Sequence, residues 1–195
     1  MSQSKSALHI YKVAGGSVRL TSEIVCDDRQ SINQLTINSL MTTMALSSTN
    51  ESLRVFSALS WQEQYAFDHS MPELTVNNTG ELINIYRECD ANNEGSYYEA
   101  MQRPYQIKRV DSKKGITSVA LSSDAKFVAA VSACTPHCVW VWDLSDYNLN
   151  SVLVQDKDVT DMSWCPRSNN LNISTKESSK LYLWSPKGAS ICQVP

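Results

Sequence analysis

No window of this 195-residue sequence approaches the roughly 18 apolar residues of a membrane-spanning helix. No excess of one charge is present either. Seventeen Lys and Arg face twenty Asp and Glu, spread along the chain to a net charge of −3, which argues against a nucleic-acid partner bound through a basic face. Met1 to Ser6 is polar and Ser-rich with no apolar run after it, so a secretory signal is not expected. The six cysteines (Cys26, Cys89, Cys134, Cys138, Cys165, Cys192) therefore read as reduced thiols of an intracellular protein. Asn50, Asn77 and Asn172 open Asn-x-Ser/Thr triplets that read as chance matches for the same reason. A helical period of useful length is also missing between the apolar runs, which excludes a doubly wound α/β fold.

Catalytic patterns are lacking as well. Cys134-Thr135-Pro136-His137-Cys138 is a Cys-x3-Cys with an internal His, but no second pair lies at zinc-finger or ribbon spacing, so it reads as a hairpin turn. His69 follows Asp68 with no nucleophile turn and no Gly-x-Ser-x-Gly, and reads as a polar loop residue. Gly15-Gly16 lacks the Lys-Ser/Thr of a phosphate loop. Ser185-Pro186 offers a proline-directed phosphorylation site, although its simpler role is to end a strand. The sequence thus predicts no catalytic set, cofactor or metal, and no enzyme.

What is present is a series of short apolar runs. The plainest is Val139-Trp140-Val141-Trp142-Asp143-Leu144, a buried strand ending in Trp-Asp. Strands of this kind close the blades of WD40 β-propellers, whose repeats are about 40–45 residues long. Counting from it gives that period. Trp142 to Trp184 is 42 residues, Ile116 to Val159 is 43, and Phe56 to Trp142 is 86, twice 43. The predicted fold is all-β, an incomplete WD40 propeller arc of about three to four four-stranded blades over 1–195. Its parts are a leading strand region 8–25, a blade 32–67, a disrupted blade with an insertion over 71–115, and blades 116–154 and 159–194. Phe56, Trp142 and Trp184 are the repeat aromatics that pack between blades, and Asp143 and Ser185 begin the turns to the outer strands. A β-sandwich is the alternative with regular strand spacing.

The region 87–114 is mostly polar and reads as an exposed inter-strand insertion, with a short helix over 98–103 as one option. Its Tyr97, Tyr98 and Tyr105 form a candidate partner-binding loop, since exposed tyrosines are enriched at interface hot spots. Folding back onto the propeller rim is the equal alternative.

Particular residues resemble a known family. Leu181 to Gly188 followed by Gln193-Val194-Pro195, together with Val139 to Leu144, is similar to segments of the WD repeat-containing protein 8 family, at that family's spacing. Leu8 to Tyr11, Leu53 to Phe56, Trp61, Phe67-Asp68-His69 and Ile83 to Glu88 fit the same order. The resemblance covers the middle and later part of the family's length. It implies a cytoplasmic scaffold at the centrosome, spindle pole or centriolar satellites, paired with a coiled-coil anchoring protein and, in fungi, a minus-end-directed kinesin. Such a scaffold tethers microtubule minus ends and supports spindle and cilium assembly. The alternatives are a truncated WD40 fragment without independent function, a general WD40 adaptor in another complex, and a propeller hydrolase or lyase, which would need ionisable residues converging on a central channel.

Overall fold

The alternating apolar runs fold as strands, because β-branched and aromatic side chains pack best on a pleated surface. The computed structural model describes residues 6–25, 31–71, 73–74, 76, 80–91 and 95–194, and among them every helix or strand element is a strand. In chain order these are β1 (Ala7–Ala14), β2 (Ser17–Val25), β3 (Ile32–Ile37), β4 (Thr43–Ser48), β5 (Ser52–Ser57) and β6 (Glu63–Asp68). They continue with β7 (Glu73–Leu74), β8 (Asn84–Ala91), β9 (Gly95–Met101), β10 (Tyr105–Gln106), β11 (Ile116–Leu121) and β12 (Phe127–Ser132). The last are β13 (Cys138–Asp143), β14 (Asn148–Val154), β15 (Val159–Trp164), β16 (Leu171–Thr175), β17 (Lys180–Ser185) and β18 (Gly188–Gln193).

Three sets of four consecutive strands pair as antiparallel meanders: β3 to β6, β11 to β14, and β15 to β18. Their registers coincide. Phe56 stands opposite Met44, Trp142 opposite Val128 and Trp184 opposite Leu171, each the next-to-last residue of its strand. Each innermost strand carries an irregularity at its second residue, Asn33, Thr117 and Thr160. The residue after each aromatic shapes the following turn. Ser57 Oγ accepts from the Leu59 and Ser60 amides, Asp143 Oδ1 from the Ser145 amide at 2.8 Å, and Ser185 Oγ from the Lys187 amide.

Two apolar seams hold the three blades together. Leu53, Val55 and Phe67 of the first meet Val119, Val128, Trp140 and Trp142 of the second. Phe127, Val139 and Val141 of the second meet Trp164, Leu171, Tyr182 and Trp184 of the third. Alternation along β13 explains this: its two tryptophans face back to one neighbour and its valines face forward to the next. β11 lies against β3, β4 and β15, so innermost strands line up side by side. Gly115, at φ 62°, enters β11 where a Cβ would collide with the backbone of Ser48 and Thr49. Only glycine combines that dihedral with that approach.

The region 71–115 departs from expectation. Its described residues form no four-stranded sheet of their own, and the blades at 32–67 and 116–154 adjoin directly, so the doubled 86-residue distance does not hide a fourth member between them. β8 and β9 form a hairpin that extends the second blade outward, β8 pairing in parallel with β14. β9 reaches β18 of the third blade, and β7 pairs with β10. The option of a helix over 98–103 is replaced by β9. The scattered apolar residues Leu74, Ile83, Ile85, Met101 and Ile107 lack a period because each plugs the first seam separately. Covering β14 also removes an open sheet edge.

Candidate functional site

The two buried acidic or imidazole side chains among the described residues, His69 and Glu88, lie at two inter-blade junctions. At the first, the chain leaving β6 turns inward at Asp68-His69, and His69 is completely buried rather than a polar loop residue. Its Nε2 accepts a hydrogen bond from Trp142 Nε1 at 3.1 Å, which places the imidazole proton on Nδ1. Trp142 also stacks on Phe67, with ring centroids 4.5 Å apart. Arg109 donates to the His69 carbonyl at 2.9 Å and to Glu51 Oε2 at 2.6 Å. Ser132 Oγ donates to Glu51 Oε1 at 2.6 Å. The first blade, the second blade and the strand-poor segment before β11 are joined through these bonds.

Burial lowers the His69 pKa to about 4, against a smaller raising effect from Asp68. A folded pKa below the unfolded value means the unfolded chain binds the proton more readily. Stability from this group is complete above about pH 6.5, falls as pH drops through the window between 6.5 and about 4, and falls no further below it. The expected loss is of the order of 3 kcal/mol. Urea midpoints at pH 7 and pH 4.5 test it, and His69→Gln should show a smaller difference than the wild type. An equal difference in both proteins would assign the acid sensitivity to other groups.

At the second junction Glu88 of β8 is buried between the second and third blades. Its Oε1 pairs with Lys180 Nζ at 2.7 Å, and its Oε2 accepts from Tyr182 Oη and from the Asp156 amide, both at 2.9 Å. Asp90 adds a second carboxylate 3.5 Å from Lys180. Burial first, then the like charges of Glu88 and Asp90, push the Asp156 carboxyl up. Glu88, Asp90 and Asp156 are close enough to hold a cation, and the Lys180 ammonium already pairs with two of them.

The three tyrosines predicted as one binding loop separate. Tyr97 is 51% exposed on β9. Tyr98 turns inward, with its ring 5.9 Å from Tyr182 and its hydroxyl 3.0 Å from the Gln155 amide. Burial raises its pKa. Tyr105 is half-buried against the first seam. Phe56, Trp142 and Trp184 are buried between layers, and Asp143 lies at a turn. Cys138 belongs to β13, where burial raises its thiol pKa, and Cys134 Sγ lies 3.2 Å from the Ser112 carbonyl. An open apolar cleft of about 190 Å³ lies at the outer end of the first seam, lined by Tyr65, Phe67, Met71, Ile83, Trp142 and Leu149. That is smaller than the roughly 300–1,000 Å³ of ordinary ligand pockets. No helix long and apolar enough to cross a membrane occurs among the described residues.

Glu51, Arg109, Glu88 and Lys180 were not singled out by sequence reasoning. Each belongs to a run that looks like solvated surface, and its partner is far along the chain.

Solved structures share this architecture. The crystal structure of RRP9 WD40 repeats aligns at a TM-score of 0.55 and 10% identity, covering 87% of this chain and 40% of that one. The structure of U3-55K gives the same values. The fold is an incomplete WD40 propeller. No family model matches the sequence. A curated relative, mouse WD repeat-containing protein WRAP73, is 27% identical over 180 residues, covering 78% of this chain. The WD40 arc spans 38% of that relative's length. The likeness to solved structures carries the fold alone.

Proposed function

We propose that this WD40 arc is a non-enzymatic scaffold that binds other proteins. The observation that carries the reading is how its ionisable groups are used. His69, Glu51, Arg109, Glu88 and Lys180 are engaged in fastening blades to each other. His69 is kept neutral by burial, with Trp142 on one ring nitrogen and no nucleophile bonded to it among the described residues. What the arc offers to its surroundings is surface: the outer rim and the exposed β9 face with Tyr97.

The finer reading is a scaffold at the centrosome or spindle pole that helps anchor microtubule minus ends and supports spindle and cilium assembly. Its partners would be a coiled-coil anchoring protein and a minus-end-directed kinesin. The similarity to mouse WRAP73 supports a shared ancestry of the WD repeats, and the motif resemblance at Val139–Leu144 and Leu181–Gly188 supports the placement. Affinity purification of the tagged chain from dividing, ciliated cells tests it. Recovery of coiled-coil centrosomal proteins, reduced at least threefold by Tyr97→Ala with unchanged thermal melting, is the expected result. A preparation that recovers no centrosomal or microtubule-associated protein would overturn the placement.

A further inference from the structure

A polar cavity of about 110 Å³ lies where the β13–β14 turn meets the chain entering β8. That chain contributes Glu81 and Asn84, the turn contributes Asp143 and Asp146, and the start of β14 contributes Asn148 and Asn150. Three carboxylates thus border one small volume, and no Lys, Arg or His side chain lines it among the described residues. The Glu88 junction differs in this respect, because Lys180 pairs with its acids. The second blade is packed against both the first and the third, so neither end of the chain creates this cavity.

The turn itself gathers these groups. Asp143 and Asn148 are register partners where β13 meets β14, so their side chains leave the same face of the sheet. Asp143 Oδ1 accepts from the Ser145 amide at 2.8 Å, and Asp146 Oδ1 from the Asn148 amide at 3.1 Å. One oxygen of each aspartate is therefore committed to the turn. Asn148 points to a ligand independently. It is 4% exposed, and its Oδ1 is buried with no hydrogen-bond partner among the described residues. Buried acceptors are seldom left without a partner. A water molecule would satisfy this oxygen and leave the carboxylates repelling one another, whereas a cation answers both demands.

We propose that this cavity binds a divalent metal ion of the calcium type. Asp143 and Asp146 bind through Oδ2, the oxygen the turn leaves over, and Asn148 through Oδ1, with Glu81 adding a third carboxylate to the wall. Carboxylate and amide oxygens, with neither thiolate nor imidazole, select a hard cation over zinc or copper. Calcium tolerates an irregular set of such oxygens, while magnesium demands a near-ideal octahedron. The cavity is roomy enough for the ion to keep part of its water. Bound there, the ion ties the chain entering β8 to the turn that closes the second blade. The site stands apart from the scaffold reading and does not depend on it.

The test is calorimetric titration of the 195-residue chain with calcium chloride, and with magnesium chloride in parallel. Saturable binding of one calcium is expected, with Kd at or below about 1 mM and magnesium weaker. Asp146→Asn keeps an acceptor for the Asn148 amide and removes the charge at an exposed position, so it should melt with the wild type and bind calcium at least tenfold more weakly. Asp90→Asn, in the acidic cluster at the Glu88 junction, should leave the affinity unchanged. Asn148→Asp adds charge to the oxygen that lacks a partner and should tighten binding at least threefold. Amide resonances of residues 143–150 should shift on calcium addition. No saturation by about 10 mM calcium would overturn the proposal. So would equal binding by Asp146→Asn, or weaker binding by Asn148→Asp. A loss confined to Asp90→Asn would place the ion at the Glu88 junction and overturn the assignment to this cavity.

Discussion

Trp142→Ala is expected to destabilise the protein by about 4 kcal/mol, close to the whole margin of a marginally stable domain. The indole is 4% exposed in the seam between the first two blades and stacks on Phe67. Truncation removes that packing and leaves a cavity, and in addition strips His69 Nε2 of its donor inside a fully buried site. The two effects can be separated. Trp142→Phe retains most of the apolar area and loses only the indole N–H, so it should cost about 1–2 kcal/mol. Chemical denaturation followed by far-ultraviolet circular dichroism avoids reading the removed fluorophore. If Trp142→Ala costs under about 1 kcal/mol, the seam is not what holds these blades together.

Lys180→Met is expected to cost about 3 kcal/mol, because it leaves the Glu88 carboxylate buried without its cation. Glu88 has a fully buried side chain held by Lys180, Tyr182 and the Asp156 amide. The double variant Glu88→Gln with Lys180→Met should recover most of the loss, since an amide still accepts from Tyr182 and carries no charge to desolvate. The non-additivity in a double-mutant cycle is the readout. Additive losses would show that the pair acts as two independent packing positions. Because the pair joins β8 to β17, Lys180→Met should also raise hydrogen exchange across the β8–β9 hairpin, even where global stability is restored by osmolyte.

The strands and their equivalence were open to reading because both are written locally. A period of two along β13 decides which side chains face each neighbour, and the recurrence of an aromatic followed by Ser or Asp marks each blade's third strand. The 43-residue spacing then identified the complete blades. The same arithmetic misled at 86 residues, where an insertion happened to match one period in length. No local signal separates a missing repeat from a long excursion of equal length; that β11 lies against β3 does. The tyrosines show the same limit. Tyr97 and Tyr98 are adjacent in sequence, and strand alternation sends one outward and the other toward Tyr182, which no loop reading anticipates.

By itself the sequence determined an all-β chain of repeated four-stranded units and the aromatic positions that recur near the end of each unit's third strand. Tertiary structure alone decided which units adjoin, that the 71–115 region plugs a seam and extends a blade's edge, and that His69 and Glu88 are buried fasteners. The reason is one of distance along the chain. His69 meets Trp142 across 73 residues and Glu88 meets Lys180 across 92, and the burial that sets their chemistry exists only once those blades have packed.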